Sequence, residues 1–394
     1  MTKRSRTLWL AVGVMCLSHP SAAQIPGLEP EKNWDLDGYV KYMLTYSNPD
    51  NSSNAIDHLI HQRFNFEYRF ANHFAFNAGL RNRALAGDSL DIPMYEQLVS
   101  LDTGYWDLSK NVIEQDSVIV NSQFDRLFMD WHKDDWNARV GRFRINWSMN
   151  TVWNPNDLFN AYSIYDVDYE ERAGSDAIML GHSLGFADGV EVIFSPDTSQ
   201  VLNDYTVRYY GNDSGWDYQV IGGKNALDNV LGAGFATDWH GAGIRGEVTW
   251  FKPRRDSYQG ITLNDNTVLS LESDYSFSGE NNWLLRAAWL YIEKPEETQS
   301  ARRYLSLPLN AKTLSFTHHT GYLELGFDLT PLSRMSVSTV YYDDNSYFLG
   351  LSNHYSLAND WQLLTIIQRF DGTSRSLFGT TPATLLFANI KWSF

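Results

Sequence analysis

Trp34-Asp35-Leu36-Asp37-Gly38-Tyr39-Val40-Lys41-Tyr42-Met43-Leu44-Thr45-Tyr46 is the stretch that decides the fold. Trp34, Leu36, Gly38, Val40, Tyr42, Leu44 and Tyr46 share even parity, while Asp35, Asp37, Lys41 and Thr45 occupy odd positions. An extended strand turns successive side chains to opposite sides, whereas helical spacing would scatter these residues round an axis. The stretch therefore predicts a strand with one apolar face and one wet face.

The same period runs along the chain. Ile60, Phe64, Phe66, Tyr68 and Phe70 oppose His61, Arg63, Asn65, Glu67 and Arg69; Phe74, Phe76, Ala78 and Leu80 then oppose Asn77, Arg81 and Arg83. Later segments repeat it around Glu191, Arg208, Glu247, Glu272, Asp274, Arg286 and Glu324, and the chain ends on Leu386, Ala388, Ile390, Trp392 and Phe394. Aromatics make up 14% of the sequence, yet no apolar run approaches a spanning helix and the mean hydropathy is negative. A barrel with a lipid face and a wet lumen combines these properties. A soluble β-sandwich or solenoid would also alternate, but would not need apolar aromatics on nearly every strand.

Connections alternate as well. Short turns are expected near Ala71, Trp131 to Asp135, Leu184 to Ala187, Gly211 to Gly215, Asp238 to Gly241, Gly279 to Asn282, Thr330 to Arg334 and Ala358 to Asp360. Long excursions fall at Leu85 to Asp116 and Ser148 to Ser175, with shorter ones near Pro253 to Asn266, Lys294 to Lys312 and Asp371 to Pro382. Short inner turns and long outer loops are the asymmetry of outer-membrane barrels. The expectation is an all-β transmembrane antiparallel up-and-down β-barrel of about eighteen strands, with sixteen as the alternative. Closure follows from the cost of exposing strand edges to hydrocarbon, several kcal/mol per backbone group.

Residues 1–23 read as a secretory signal: basic Lys3, Arg4 and Arg6, an apolar stretch from Leu8 to Leu17, and Ser21-Ala22-Ala23 before Gln24. The apolar stretch is half the roughly twenty residues a membrane-spanning helix needs. Cys16, the single cysteine, lies within it, preceded by Val14 and Met15 where a lipidation signal would place small residues. Residues 24–33 form a short periplasmic segment, too short for a plug domain, and 34–394 form one barrel without an internal linker. Export and folding in the outer membrane, among its lipids, imply the barrel-assembly machinery as a partner. The segment Leu386 to Phe394 has the alternating apolar pattern and terminal aromatic of its signal.

No Gly-x-Ser-x-Gly elbow, phosphate loop or basic nucleic-acid patch occurs, so neither an enzyme nor a nucleic-acid partner is expected. The histidine pairs His58 with His61 and His318 with His319 place their members on opposite strand faces, which argues against a metal, and no cofactor is expected.

Gly141-Arg142-Phe143-Arg144-Ile145-Asn146-Trp147, followed by Val152-Trp153-Asn154-Pro155-Asn156-Asp157-Leu158-Phe159-Asn160, resembles a strand and loop of porin-like barrels related to the alginate-export and substrate-specific porin families. The similarity extends through Tyr169-Glu170-Glu171-Arg172; Phe143 stands where many relatives have Gln. The resemblance implies an eighteen-stranded channel narrowed by loops that fold inward. Parity gives the motif a reading of its own. Trp136, Ala138 and Val140 are even, Phe143, Ile145 and Trp147 odd, so a bulge at Gly141 is expected to turn Arg139, Arg142 and Arg144 to the lumen.

The pore-lining candidates are thus Arg63, Arg69, Arg81, Arg83, Arg139, Arg142 and Arg144 on early strands, and Glu191, Glu247, Glu272, Asp274 and Glu324 on later ones. They predict a basic wall facing an acidic wall, a field that orients dipolar or anionic solutes. The net charge of −16 is assigned mostly to outer loops, which carry Glu293, Glu296 and Glu297. The 148–175 loop is the candidate constriction. Asn154, Asn156, Asp157, Asp166, Asp168, Glu170, Glu171 and Arg172 lie among Trp153, Phe159, Tyr162, Tyr165 and Tyr169, an aromatic content high for a solvated loop. The function expected is passive diffusion of small hydrophilic solutes, anionic or carbohydrate solutes among them; the alternative is a non-conducting barrel with a surface-interaction, assembly or enzymatic role.

Overall fold

A computed structural model describes residues 32–168, 171, 172, 174–296, 298, 300–306 and 309–394. The signal segment lies outside them, as do most of the 24–33 segment, Tyr169, Glu170 and Glu297. Eighteen antiparallel strands close a ring. They are β1 (Trp34–Pro49), β2 (Ala55–Arg69), β3 (Phe74–Gly87), β4 (Val118–Lys133), β5 (Trp136–Phe143) and β6 (Ser175–Ser183). β7 (Gly189–Ser195), β8 (Asp204–Asp213), β9 (Trp216–Asn225), β10 (Asp228–Trp239), β11 (Ala242–Pro253) and β12 (Asn266–Ser276) follow. β13 (Leu284–Ile292), β14 (His319–Thr330), β15 (Ser333–Tyr342), β16 (Ser346–Ala358), β17 (Trp361–Gly372) and β18 (Ala383–Ser393) complete the wall. Each pairs with its neighbour in sequence, and β1 closes on β18 from Tyr39 opposite Ser393 to Pro49 opposite Ala383. Every short turn and long excursion expected from the sequence falls between the corresponding strands.

Outward parity carries the apolar side chains. Trp34, Leu36, Tyr42, Ile60, Phe64 and Tyr68 of β1 and β2 are exposed on the outside, and Val192, Val220, Leu231, Trp250, Leu271 and Ile367 continue the band round the ring. A face of this kind is stable only against hydrocarbon. The opposite parity is buried or half-buried inside. There Lys41, Arg63, Glu247 and Glu272 are each at most 3% exposed.

The expected bulge at Gly141 is absent. β5 pairs in unbroken register with β4 through Arg142 and with β6 through Phe143. A bulge lies one strand earlier instead, where Gly79 faces Arg126 and Leu80 faces Phe124, so Asp125 is the extra residue of β4. That bulge aims its carboxylate at Arg63, 2.5 and 3.0 Å away. Phe143, Ile145 and Trp147 keep the inward parity and pack with Ala177, Met179, Ile193 and Ile221. The face switch that parity suggested at Gly141 does not occur, because these apolar residues face a cover inside the barrel instead of lipid. Gly141 has φ 125°, and a Cβ there would meet the Leu127 carbonyl at 2.3 Å, so glycine is required where the chain leaves the wall.

The early end of β5 leaves the outer part of β4 without a partner on that side. A nineteenth strand, Ser109–Gln115 from the long loop after β3, pairs with β4 there. Arg142 locks the junction. Its guanidinium contacts Asp176 of β6 at 2.8 Å and Asp102 of the loop at 2.6 Å, and donates to the Trp106 carbonyl.

Candidate functional site: an internal collar

The described residues between 144 and 174 fold into the barrel as two limbs pressed on the inner wall. The first, 144–160, lies on β7 to β14 and is held through its main chain. Trp147 Nε1 donates to Glu191 at 2.7 Å, and Gln219 donates to the Trp147 carbonyl. Glu247, 1% exposed, accepts from the backbone N–H groups of Met149, Asn150 and Asn156. Glu272 accepts from the N–H groups of Thr151 and Val152 and from the Thr151 hydroxyl. Asn150 donates to Ser270, Asn156 to the Ala233 carbonyl, and Thr249 to Asn156 Oδ1. Buried N–H groups in a loop need acceptors, and two carboxylates on adjacent strands supply them.

The second limb, described at 161–168, 171, 172 and 174, crosses to the other side. The Tyr162 hydroxyl donates to the Thr151 carbonyl, tying the limbs together. Tyr165 inserts between Phe348 and Phe370 with its hydroxyl against that of Tyr342, and Gln368 donates to its carbonyl. Asp168 then meets Lys41 at 2.8 Å and His61 at 3.1 Å, and Glu171 meets Arg63 at 2.8 Å and Arg126 at 3.5 Å. Here the loop supplies the anions and the early strands the cations. Where the limbs return to β5 and β6, Asp157 contacts Arg172 at 3.5 Å, and the Arg172 guanidinium lies 3.2 Å from the centroid of the Tyr162 ring.

Burial raises the Asp157 carboxyl above its ordinary range, with the Asn160 N–H and the Arg172 charge offsetting part of the shift. Burial also raises Asp166, which borders the Lys41 and Arg81 charges. Asp168 behaves oppositely: burial opposes its ionisation, but the His61 bond and the Lys41 charge outweigh it and hold the group at about 2.

The candidate residues from the sequence separate into distinct places. Arg63, Glu191, Glu247, Glu272, Asp168, Glu171, Asp157, Arg172 and Asn156 meet at the collar, and Asn154 is buried within it. Asp274 and Glu324 join a cross-strand ladder in which Arg245 bonds Asp274 and Glu272 while Arg286 bonds Glu272 and Glu324. Arg69 pairs with Asp35 and Glu67 near the short-turn end, far along β2 from the collar, and Arg139 pairs with Asp130 over Phe128 and Phe143. Arg142 does not line open lumen; at 3% exposure it is the wall lock described above. Arg144 is half-buried where the first limb begins, within electrostatic reach of Asp157. Glu170 lies outside the described residues. Two facing walls of opposite charge are thus replaced by interleaved pairs, because Arg208, Arg245 and Arg286 neutralise the later strands from within. Shared inward parity was the signal for those three and for Lys41, whereas the bulge at Asp125 breaks the parity that would have placed it.

Arg81 and Arg83 differ from the rest. Arg81 donates to Gln123, and Arg83 to Asn121 and the Val99 carbonyl; among the described residues neither has a carboxylate within ion-pair distance. They line a cavity of about 420 Å³ beside the collar that also borders Gln123, Leu158 and Phe159, the carboxylates of Asp125, Asp102 and Asp176, which Arg63 and Arg142 engage, and those of Asp197 and Asp204.

Among solved structures the barrel is similar to OccAB4 of Acinetobacter baumannii, with TM-score 0.58 at 11% identity over 91% of this chain and 98% of that chain. It is similar to OccK5 (OpdH) of Pseudomonas aeruginosa, with TM-score 0.59 at 8% identity over 91% and 98% of the two chains. For the outer membrane protein OprD of Pseudomonas aeruginosa the values are 0.56 and 10%, over 92% and 94%. At these identities the likeness is one of fold. No family model and no curated protein matches the sequence.

Proposed function

We propose that this chain is an outer-membrane channel for passive diffusion of small hydrophilic solutes, reached by export through the inner membrane and assembly through the strand ending at Phe394. The observation that carries the reading is the collar: a closed barrel that needed only to be a rigid body would not be lined by a loop pinned from within on both sides. Its limbs set the width of the passage, and Arg81 and Arg83 favour anionic solutes, among them carboxylates, phosphates and acidic sugars, because among the described residues no carboxylate lies within ion-pair distance of their guanidinium groups. Single-channel recording with purified, refolded protein tests this. Discrete current steps are expected, and Arg81→Glu with Arg83→Glu is expected to move the reversal potential toward cation preference. A bilayer that stays sealed with inserted protein would favour the non-conducting alternative.

A further inference from the structure

The outside of the barrel carries a second organised group of charges. Tyr205 of β8 is in register with Lys224 of β9, Lys224 with Asn229 of β10, and Asn229 with Lys252 of β11, so these four side chains form one outward row. The row one step nearer the membrane centre is Val207, Gly222, Leu231 and Trp250. Leu231 is 56% exposed and Trp250 39%, as lipid-facing residues are. The cations therefore begin where the hydrocarbon band ends, at the long-loop end of the barrel. Arg254 and Arg255 rise directly above them and, with Lys224 and Tyr205, line a groove of about 450 Å³ floored by Val201 and Leu227.

Among the described residues, Lys252, Arg254 and Arg255 have no carboxylate within ion-pair distance, and all three are exposed. The Lys252 ammonium lies over the Trp250 ring, 5.8 Å from its centroid, at the upper edge of the apolar band. Two of the neighbouring acids are engaged, Asp265 by Lys294 at 2.5 Å and Asp204 by Asn225 and the Ala226 N–H. Lys224 feels the Asp204 and Asp197 charges and donates to the Asn203 carbonyl. On a chain of net charge −16, four cations gathered at the long-loop rim make a local exception.

We infer that this rim seats the phosphorylated headgroup of an anionic lipid in the leaflet on the loop side. Phosphate oxygens meet Lys224, Lys252, Arg254 and Arg255, while acyl chains run down over Leu231, Val207 and Trp250. Depth favours a lipid over a soluble anion, since the groove opens onto the apolar band and not into the lumen. The site is independent of ion conduction.

The test measures retention of bisphosphorylated lipid A by folded, detergent-solubilised full-length protein in native mass spectrometry, with dephosphorylated lipid A and inorganic phosphate as the other probes. Selective retention of the phosphorylated lipid is expected, weakened at least about tenfold by combined Lys224→Gln, Lys252→Gln, Arg254→Gln and Arg255→Gln. Lys133→Gln, at the short-turn end, is expected to leave it unchanged. Arg254→Gln with Arg255→Gln, outside the strand ladder, serves if the fourfold variant does not fold, and is expected to weaken retention as well. Equal retention of the dephosphorylated lipid, unchanged retention by the variants, or displacement by inorganic phosphate at matched concentration would overturn the assignment. Because mass and not current is read, failure here is distinct from failure of the channel reading.

Discussion

Asp168 shows how a single collar residue depends on both its environments. Lys41 is wholly buried and His61 nearly so, and this one carboxylate of the loop holds them both. Its pKa lies at about 2 against an ordinary 3.8, so the docking it stabilises is complete above about pH 4 and lost as pH falls through about 2. Asp157 and Asp166 have the opposite sign. Their carboxyls are raised by burial, so the docked collar gains as pH falls from neutral toward their protonation. The collar is therefore expected to sit most firmly in mildly acidic solution and to loosen toward pH 2, read as open-channel current noise across that range. Asp168→Asn removes a carboxylate charge from beside buried Lys41 and is expected to weaken docking by on the order of 2 kcal/mol, giving at neutral pH the noise that wild type shows only in strong acid. Flat noise between pH 4 and pH 2 would show that this contact does not restrain the loop.

At the scale of elements, the collar is fastened by two chemistries: wall carboxylates that accept main-chain N–H groups from the first limb, and wall cations that bind carboxylates of the second. Glu247→Ala strips the acceptor from three N–H groups without touching the β11 ladder, at about 1.5–3 kcal/mol per charge-assisted bond. Limited proteolysis is expected to cut this variant within 144–160 while the barrel keeps its heat-modifiable electrophoretic mobility; a loop as resistant as wild type would show that Glu272 and the apolar contacts suffice. This division also explains what the sequence disclosed. The early cations and late anions were legible as an asymmetry, and the loop as a candidate constriction from its aromatics. The asymmetry's use was not, since alternation reports which face a side chain takes and not what covers that face. Phe143, Ile145 and Trp147 looked like a lipid stripe for that reason, and Arg142 like a lumenal charge, because a glycine that releases a strand from the wall looks in sequence like one that bulges it.

The whole molecule is legible to a greater degree, because ring closure is governed by one period repeated from Trp34 to Phe394. The ring depends on its last strand. β18 occupies the edges of both β17 and β1, and Gly38 and Phe394 exchange backbone hydrogen bonds at 3.0 Å in each direction. Removing residues 384–394 exposes two strand edges to hydrocarbon at several kcal/mol per unpaired group, a deficit that no loop contact offsets. No folded, heat-modifiable species is expected from that truncation. An insertion of similar length at Asn264, in the outer loop between β11 and β12, is expected to fold like wild type, because that backbone is outside the ladder. The comparison separates loss of closure from a general intolerance of altered length. A truncated chain that still gave a protease-resistant, membrane-inserted band would mean that fewer strands can close the same wall, and the dependence of the collar on an eighteen-stranded ring would then have to be abandoned.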